Sequence, residues 1–257
     1  YYKLDDYAKA IECYNSYYAA TPKEAGKIDI AACENYLQSL FSMSAKDETN
    51  LDKIVAVAEE IKPLAPNDII IPRMEFFAKY NKVETSMDYD GALKAANDAA
   101  AYIRDKQFAD SVYMYMDYDY AAKLAKEQND LTGAINYYEL AVKDLEDKAV
   151  GLEDEKKKAE NEAKRGSYYY EISNLYVRNK QAAKGIEVFE KYLALLGDKA
   201  DLSDKYQLGY KYAAAYQQKD NTPEQKKAYH DKAVETFQQI TTAQSENRMP
   251  ILMSYRM

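Results

Sequence analysis

Residues 168–196, YYYEISNLYVRNKQAAKGIEVFEKYLALL, restrict the fold of this chain more than any other stretch. Tyr169, Ile172, Ser173 and Tyr176 fall at i, i+3, i+4 and i+7, one stripe of an amphipathic helix. Gly185, Phe189 and Tyr192 form a stripe on a second helix, reached through a short polar turn. Ser173 and Gly185 are small where the two helices would cross, which lets the backbones approach. Tyr176 and Phe189 are large where a neighbouring helix must be gripped. A lone hairpin of this shape leaves an apolar outer face that only another hairpin can bury. The chain is therefore expected to be a row of stacked helix pairs.

The remaining sequence can be divided in the same way. Residues 1–22 read as the second half of a pair. Asp5-Asp6-Tyr7 is the turn into the helix, Ala10 the small crossing residue, Tyr14 and Tyr17 the grip, and Pro22 the end. Ala25 to Ser44 reads as one helix, followed by a partner from about Leu51 to Lys62 with Thr49 or Asn50 as cap and Pro63 and Pro66 beyond it. Residues 69–83 and 88–103 give a further pair, the second helix facing its neighbour with Ala92, Ala96, Ala99 and Ala100. Residues 111–147 give another, with Tyr118, Ala121, Ala122 and Ala125 on one stripe and Ala134, Tyr138 and Ala141 on the next. Asn129-Asp130 is its turn and cap. In residues 202–241, Leu208, Gly209 and Tyr212 precede a second helix started by Thr222-Pro223 and striped by Ala233, Phe237 and Ile240.

These roles, a large residue, a large–small pair, an aromatic, then a small residue and an aromatic, resemble the tetratricopeptide repeat. In the best-matched segment they fall to Tyr169, Ile172 with Ser173, Tyr176, Gly185 and Phe189. The resemblance implies an all-α fold, a right-handed α-solenoid of stacked antiparallel helix pairs. Its approximate repeats are 1–22 (half), 25–66, 69–104, 107–147, 152–197 and 201–242, with a further helix begun in 245–257. The crossing residues Ala10, Ile54, Ala92, Ala134, Gly185 and Ala233 are spaced by about 38 to 51 residues, against about 34 in the family, so the repeats are elongated. That spacing also fits HEAT-like repeats. The closing proline and the small-then-aromatic pairing favour the first family.

Composition agrees with thin helical layers. Eight Gly and six Pro in 257 residues leave few helix breakers, and the hydrophobic share of 47% is enough for a core. Twenty-seven Tyr against six Phe and no Trp suits positions that bury a ring and keep the hydroxyl wet. Residues 148–165, KAVGLEDEKKKAENEAKR, read as an exposed helical extension, with acid-before-base pairs Glu153–Lys157, Asp154–Lys158 and Glu160–Lys164 each adding about 0.2–0.5 kcal/mol. A docking arm is the alternative reading of this run.

Several functions are set aside. The net charge is −8, and no basic stripe exists to displace counterions from nucleic acid. No window of about 18 apolar residues occurs. Cys13 and Cys33 fit neither a disulfide framework nor a zinc site and read as small core residues, with a bridge between them the open alternative. The single His, His230, lies on the polar front of a helix. No phosphate loop or metal cluster is present, and no cofactor is expected. The expectation is a protein without enzymatic activity.

The resemblance further implies that the first helix of each pair lines a concave groove for a protein or peptide partner. The positions that face it are Tyr170, Asn174 and Arg178 in the best-matched repeat, Tyr206 and Tyr210 in the following one, and Asp119 and Lys123 in the preceding one. A lysine–arginine carboxylate-clamp pattern is not reproduced. The expected function is an interaction scaffold. The alternative is a glycan- or small-molecule-binding subunit of a bacterial envelope uptake system, against which stand the short connections and the lack of Trp. The Tyr-, Lys- and Asp-rich style is similar to that of Bacteroidetes envelope repeat proteins, which favours periplasm or cell envelope over cytoplasm. The chain opens within a repeat without Met or signal peptide, and Pro250 to Met257 begins an apolar helix. It reads as a fragment of a longer protein.

Overall fold

The structure, a computed structural model, describes residues 1–109 and 112–242. Among them are eleven α-helices and no strand. The helix expected to begin in 245–257 lies outside the described residues. Contacts divide the chain into two compact units, residues 1–113 and 114–257. Each is built from antiparallel helix pairs joined by short connections.

The first unit holds α1 (Tyr7–Ala20), α2 (Ile30–Met43), α3 (Thr49–Ile61), α4 (Ile70–Asn81) and α5 (Tyr89–Asp105). Its centre is α4, where Ile71, Phe77 and Ala78 are fully buried against Leu37 and Leu40 of α2 and Ile54, Ala58 and Ile61 of α3. One carboxylate is buried in this layer. Glu75 receives Lys62 at 2.5 Å and Lys79 at 2.6 Å, and two ammonium groups compensate its desolvation. Arg73 is also buried and donates to the Val112 carbonyl at 2.7 Å.

The second unit holds α6 (Tyr115–Glu127), α7 (Leu131–Ala149), α8 (Glu155–Arg178), α9 (Ala182–Leu196), α10 (Leu202–Tyr216) and α11 (Pro223–Thr242). Alanines Ala122, Ala134 and Ala141 let α6 and α7 close on Tyr138, Tyr168 and Ile172. The predicted crossing of α8 and α9 is present in atomic detail. The Ser173 hydroxyl donates to the Gly185 carbonyl at 2.6 Å, and a Cβ on Gly185 would stand 2.9 Å from the Ser173 carbonyl oxygen. Gly209 plays a similar part on α10, beneath the Phe237 ring of α11.

Aspartate starts most of these helices. Asp6, Asp29, Asp88, Asp130, Asp154 and Asp201 each accept from backbone N–H groups of the following turn. This capping corrects several expected boundaries. Helix α2 starts at Ile30 and not at Ala25, because Asp29 accepts from Ala31 N–H at 2.9 Å and Gly26 turns the chain at φ 77°. Neither Thr49 nor Asn50 caps α3. Both lie inside it, and Asp47 takes the Thr49 N–H and hydroxyl instead. The N-terminal part of α8 is exposed as expected, but the expected charge pairs are replaced. Asp154 is occupied by the N–H groups of Lys156 and Lys157, and the long pairs Lys156–Glu160 (3.9 Å) and Lys158–Glu155 (3.8 Å) form. Cys33 is buried, whereas Cys13 is exposed and not a core residue; both are free thiols.

Tyrosine lies across the seams between helices. Tyr169 and Tyr176 of α8 donate to Glu146 (2.6 Å) and Glu139 (2.7 Å) of α7, and Tyr212 of α10 donates to Glu190 of α9 at 3.2 Å. In the first unit Tyr18 of α1 is bonded to Glu60 of α3. Burial together with the facing carboxylate pushes Tyr169, Tyr176 and Tyr212 up to about 12.

Candidate partner-binding face

Helices α8 and α10 are the first members of consecutive pairs in the second unit, and both pack on α9. The residues expected to face a partner follow one another in small steps along each helix. On α8, Tyr170, Asn174 and Arg178 follow one another at i+4 and form a row beside the buried Ile172–Ser173 stripe. On α10, Tyr206 and Tyr210 form the corresponding row beside Gly209.

The structure pairs Asp119 with Lys123 and links Tyr170 and Asn174 through Lys211. The half-buried Tyr170 ring meets Tyr192 edge-on at 5.5 Å and Phe189 at 5.9 Å. Tyr192 is in turn held by Asp204 of α10 at 3.1 Å. Asn174 reaches across to α10, where its Oδ1 accepts from Lys211 Nζ at 2.6 Å. Tyr210, next to Lys211 in the chain, is 48% exposed, and Arg178 is exposed in the last turn of α8. Tyr206 is half-buried and turns its ring to Phe237 of α11, at 5.8 Å. Asp119 and Lys123 lie on α6 and are paired with each other at 2.8 Å, with Lys123 also over the Tyr120 ring.

Lys211, not among the residues expected from the sequence, lies behind Asn174. It is 1% exposed. Its ammonium stands 4.7 Å from the Phe189 ring centroid and 5.9 Å from that of Tyr170. No carboxylate is within ion-pair distance of it among the described residues. Burial alone pushes its amine down to about 8. A signal was present in the sequence. Lys211 lies three residues after Leu208 and four before Ala215, on the apolar stripe of α10.

Chemistry elsewhere is sparse. His230 is exposed on α11, beside Asp231 at 3.3 Å and against Tyr216. Among the described residues no three His, Cys, Asp or Glu side chains are grouped to hold a metal ion, and no helix is long and apolar enough to cross a membrane.

Comparison with models of known families and with curated proteins finds no match. Comparison with solved structures does. The chain is similar to YrrB, a TPR protein with an unusual peptide-binding site, at 13% identity, with 98% of each chain covered and a TM-score of 0.57. It is also similar to MamA at 12% identity, over 84% of this chain and 97% of that one, with a TM-score of 0.46. The fold is that of a tetratricopeptide-repeat solenoid, all-α, built of stacked antiparallel helix pairs.

Proposed function

We propose that the chain is an interaction scaffold without enzymatic activity, and that the α8–α10 face of the second unit holds an extended or helical segment of a protein partner. The observation that carries this reading is the Asn174–Lys211 bond between two consecutive first helices, with half-buried Tyr170 beside the lysine and Tyr210 exposed on α10. Aromatic rings with few rotatable bonds and an oriented amide are what a peptide backbone can lie against at low entropic cost. The layer beneath is tightly packed at Ser173, Gly185 and Phe189, so the face is rigid before a partner arrives. The analogy with YrrB, whose structure is described as containing a peptide-binding site, adds to this reading.

The test is selection of random dodecapeptides on the full chain, followed by calorimetric titration of the recovered peptides. Binding should weaken by about tenfold or more in Asn174→Ala and Tyr210→Ala, the loss typical of a central contact. Peptides that bind both variants as they bind the parent chain would place the partner elsewhere.

A further inference from the structure

The inference below rests on the proposed role of the α8–α10 face and concerns what that face selects. Lys211 has hydrogen-bond donors only, so the atom of Asn174 that it touches must be the carbonyl oxygen. The amide NH2 of Asn174 is thereby directed away from Lys211, on a side chain that is itself half-buried. That group has no protein acceptor among the described residues. The ammonium behind it has no carboxylate partner among them either. The groups that face it are Tyr170 and Asn174 from α8 and Phe189 from α9, and none of them is acidic. A buried charge balanced by ring faces and one amide dipole leaves a positive potential at the outer edge of that amide. A backbone carbonyl laid there would satisfy the NH2 and leave the charge. A carboxylate would answer both.

We propose that Lys211 makes this face selective for an aspartate or glutamate side chain within the partner segment, received by the Asn174 amide that Lys211 orients from behind. Lys211 is thus a positioning and specificity-determining residue, and Asn174 is the contact.

The experiment uses the full chain and the selected dodecapeptides, resynthesised with acetylated and amidated ends so that no terminal carboxylate is present. An acidic residue should recur at one position of the selected peptides. Its replacement by the matching amide should weaken binding to the parent chain by about tenfold, the scale for a desolvated charge contact, and leave binding to Lys211→Met nearly unchanged. Asn174→Asp, which supplies a carboxylate to Lys211 from inside, should abolish the preference for acid. Calorimetry at about pH 8.5 in two buffers of different ionisation enthalpy should show proton uptake on binding, because a carboxylate brought near the amine favours its charged form. That readout uses the parent chain and does not depend on any variant folding, and a purely structural lysine would not produce it. Peptides that bind at Asn174 without an acidic preference, or without proton uptake, would overturn the selectivity and leave the scaffold reading in place. A failure to recover any peptide would overturn both.

Discussion

At Gly185 the separation of α8 and α9 is decided by tenths of an ångström. A methyl group there would meet the Ser173 carbonyl oxygen at 2.9 Å and the Val177 methyl at 3.0 Å. A carbonyl belonging to a helix cannot step aside without moving the helix. Gly185→Ala should gain about 1 kcal/mol of helix propensity but lose about 1–3 kcal/mol to overpacking and about 1 kcal/mol from the stretched Ser173 hydrogen bond. The net expectation is destabilisation by about 1–3 kcal/mol. Gly209→Ala meets a side chain instead, the half-buried Phe237 ring at 2.7 Å, which can swing outward. Its net effect should stay within about 1 kcal/mol of the parent. Urea midpoints of the two variants should therefore differ clearly. Equal midpoints would mean that the backbone contact is not what sets this crossing.

Among the elements, the turns after α6 and α8 are built alike. Asn129 and Lys180 both adopt left-handed backbone, at φ 57° and 59°. The N–H of the next residue closes each turn onto the helix, Asp130 onto Ala125 at 2.9 Å and Gln181 onto Tyr176 at 2.8 Å. Asparagine tolerates this conformation, but lysine carries the full Cβ penalty of about 1–2 kcal/mol. Lys180→Gly should recover about 0.5–1 kcal/mol after the added freedom of the unfolded chain is counted, whereas Asn129→Gly should change little. Thermal midpoints in a single buffer would show this ordering, and a destabilised Lys180→Gly would refute it. The same pair of turns shows how far the sequence could be read. Asn129-Asp130 was legible as a turn because both residues favour it on their own. Nothing in lysine announces position 180. Helix pairing was legible wherever size alternated sharply, as at Ala10, Ser173 with Gly185, and Phe189. The start of α2 was not, because Ala25 and Lys27 favour helix and are overruled by the carboxylate of Asp29 together with the left-handed turn at Gly26. At the candidate face, Asn174 and the tyrosines are singled out by the family resemblance alone. Lys211 is marked only by its place on the apolar stripe of α10, where a charge looks like an interruption until its burial and its bond to Asn174 are seen.

For the molecule as a whole, two titrating groups give its units opposite responses to pH. In the first unit, burial and then hydrogen bonding with Asp68 raise Glu34 to about 7, and the charge of Asp29 adds to this. Asp68 itself is engaged by the Ile71 N–H at the start of α4, and Asp29 caps α2, so neither can readily move off. From about pH 4.5 to 7 the folded chain therefore holds a proton that the unfolded chain has released, and stability falls as pH rises through that window. In the second unit the sign reverses. From about pH 8 upward the unfolded chain keeps the Lys211 proton that the folded one loses, so stability rises with pH. That gain ends near pH 10, where unfolded tyrosines ionise ahead of raised ones such as Tyr212. Denaturant midpoints measured across this range should show the first trend removed in Glu34→Gln and the second in Lys211→Met. Parallel curves for parent and variants would contradict both assignments.

The bonds from tyrosine hydroxyls to glutamates have a mechanical consequence. Those of Tyr169 and Tyr176 with α7, like that of Tyr18 with Glu60, are solvent-exposed ties across neighbouring helices and not parts of one shared interior. A fastening of this kind gives way locally. When the second unit is pulled from its ends, load should pass from one hairpin to the next and release them in sequence, as a string of small extensions in place of a single rupture. Raising the pH above the ionisation of those phenols should lower the force at each release, since every tie would then set two negative charges face to face.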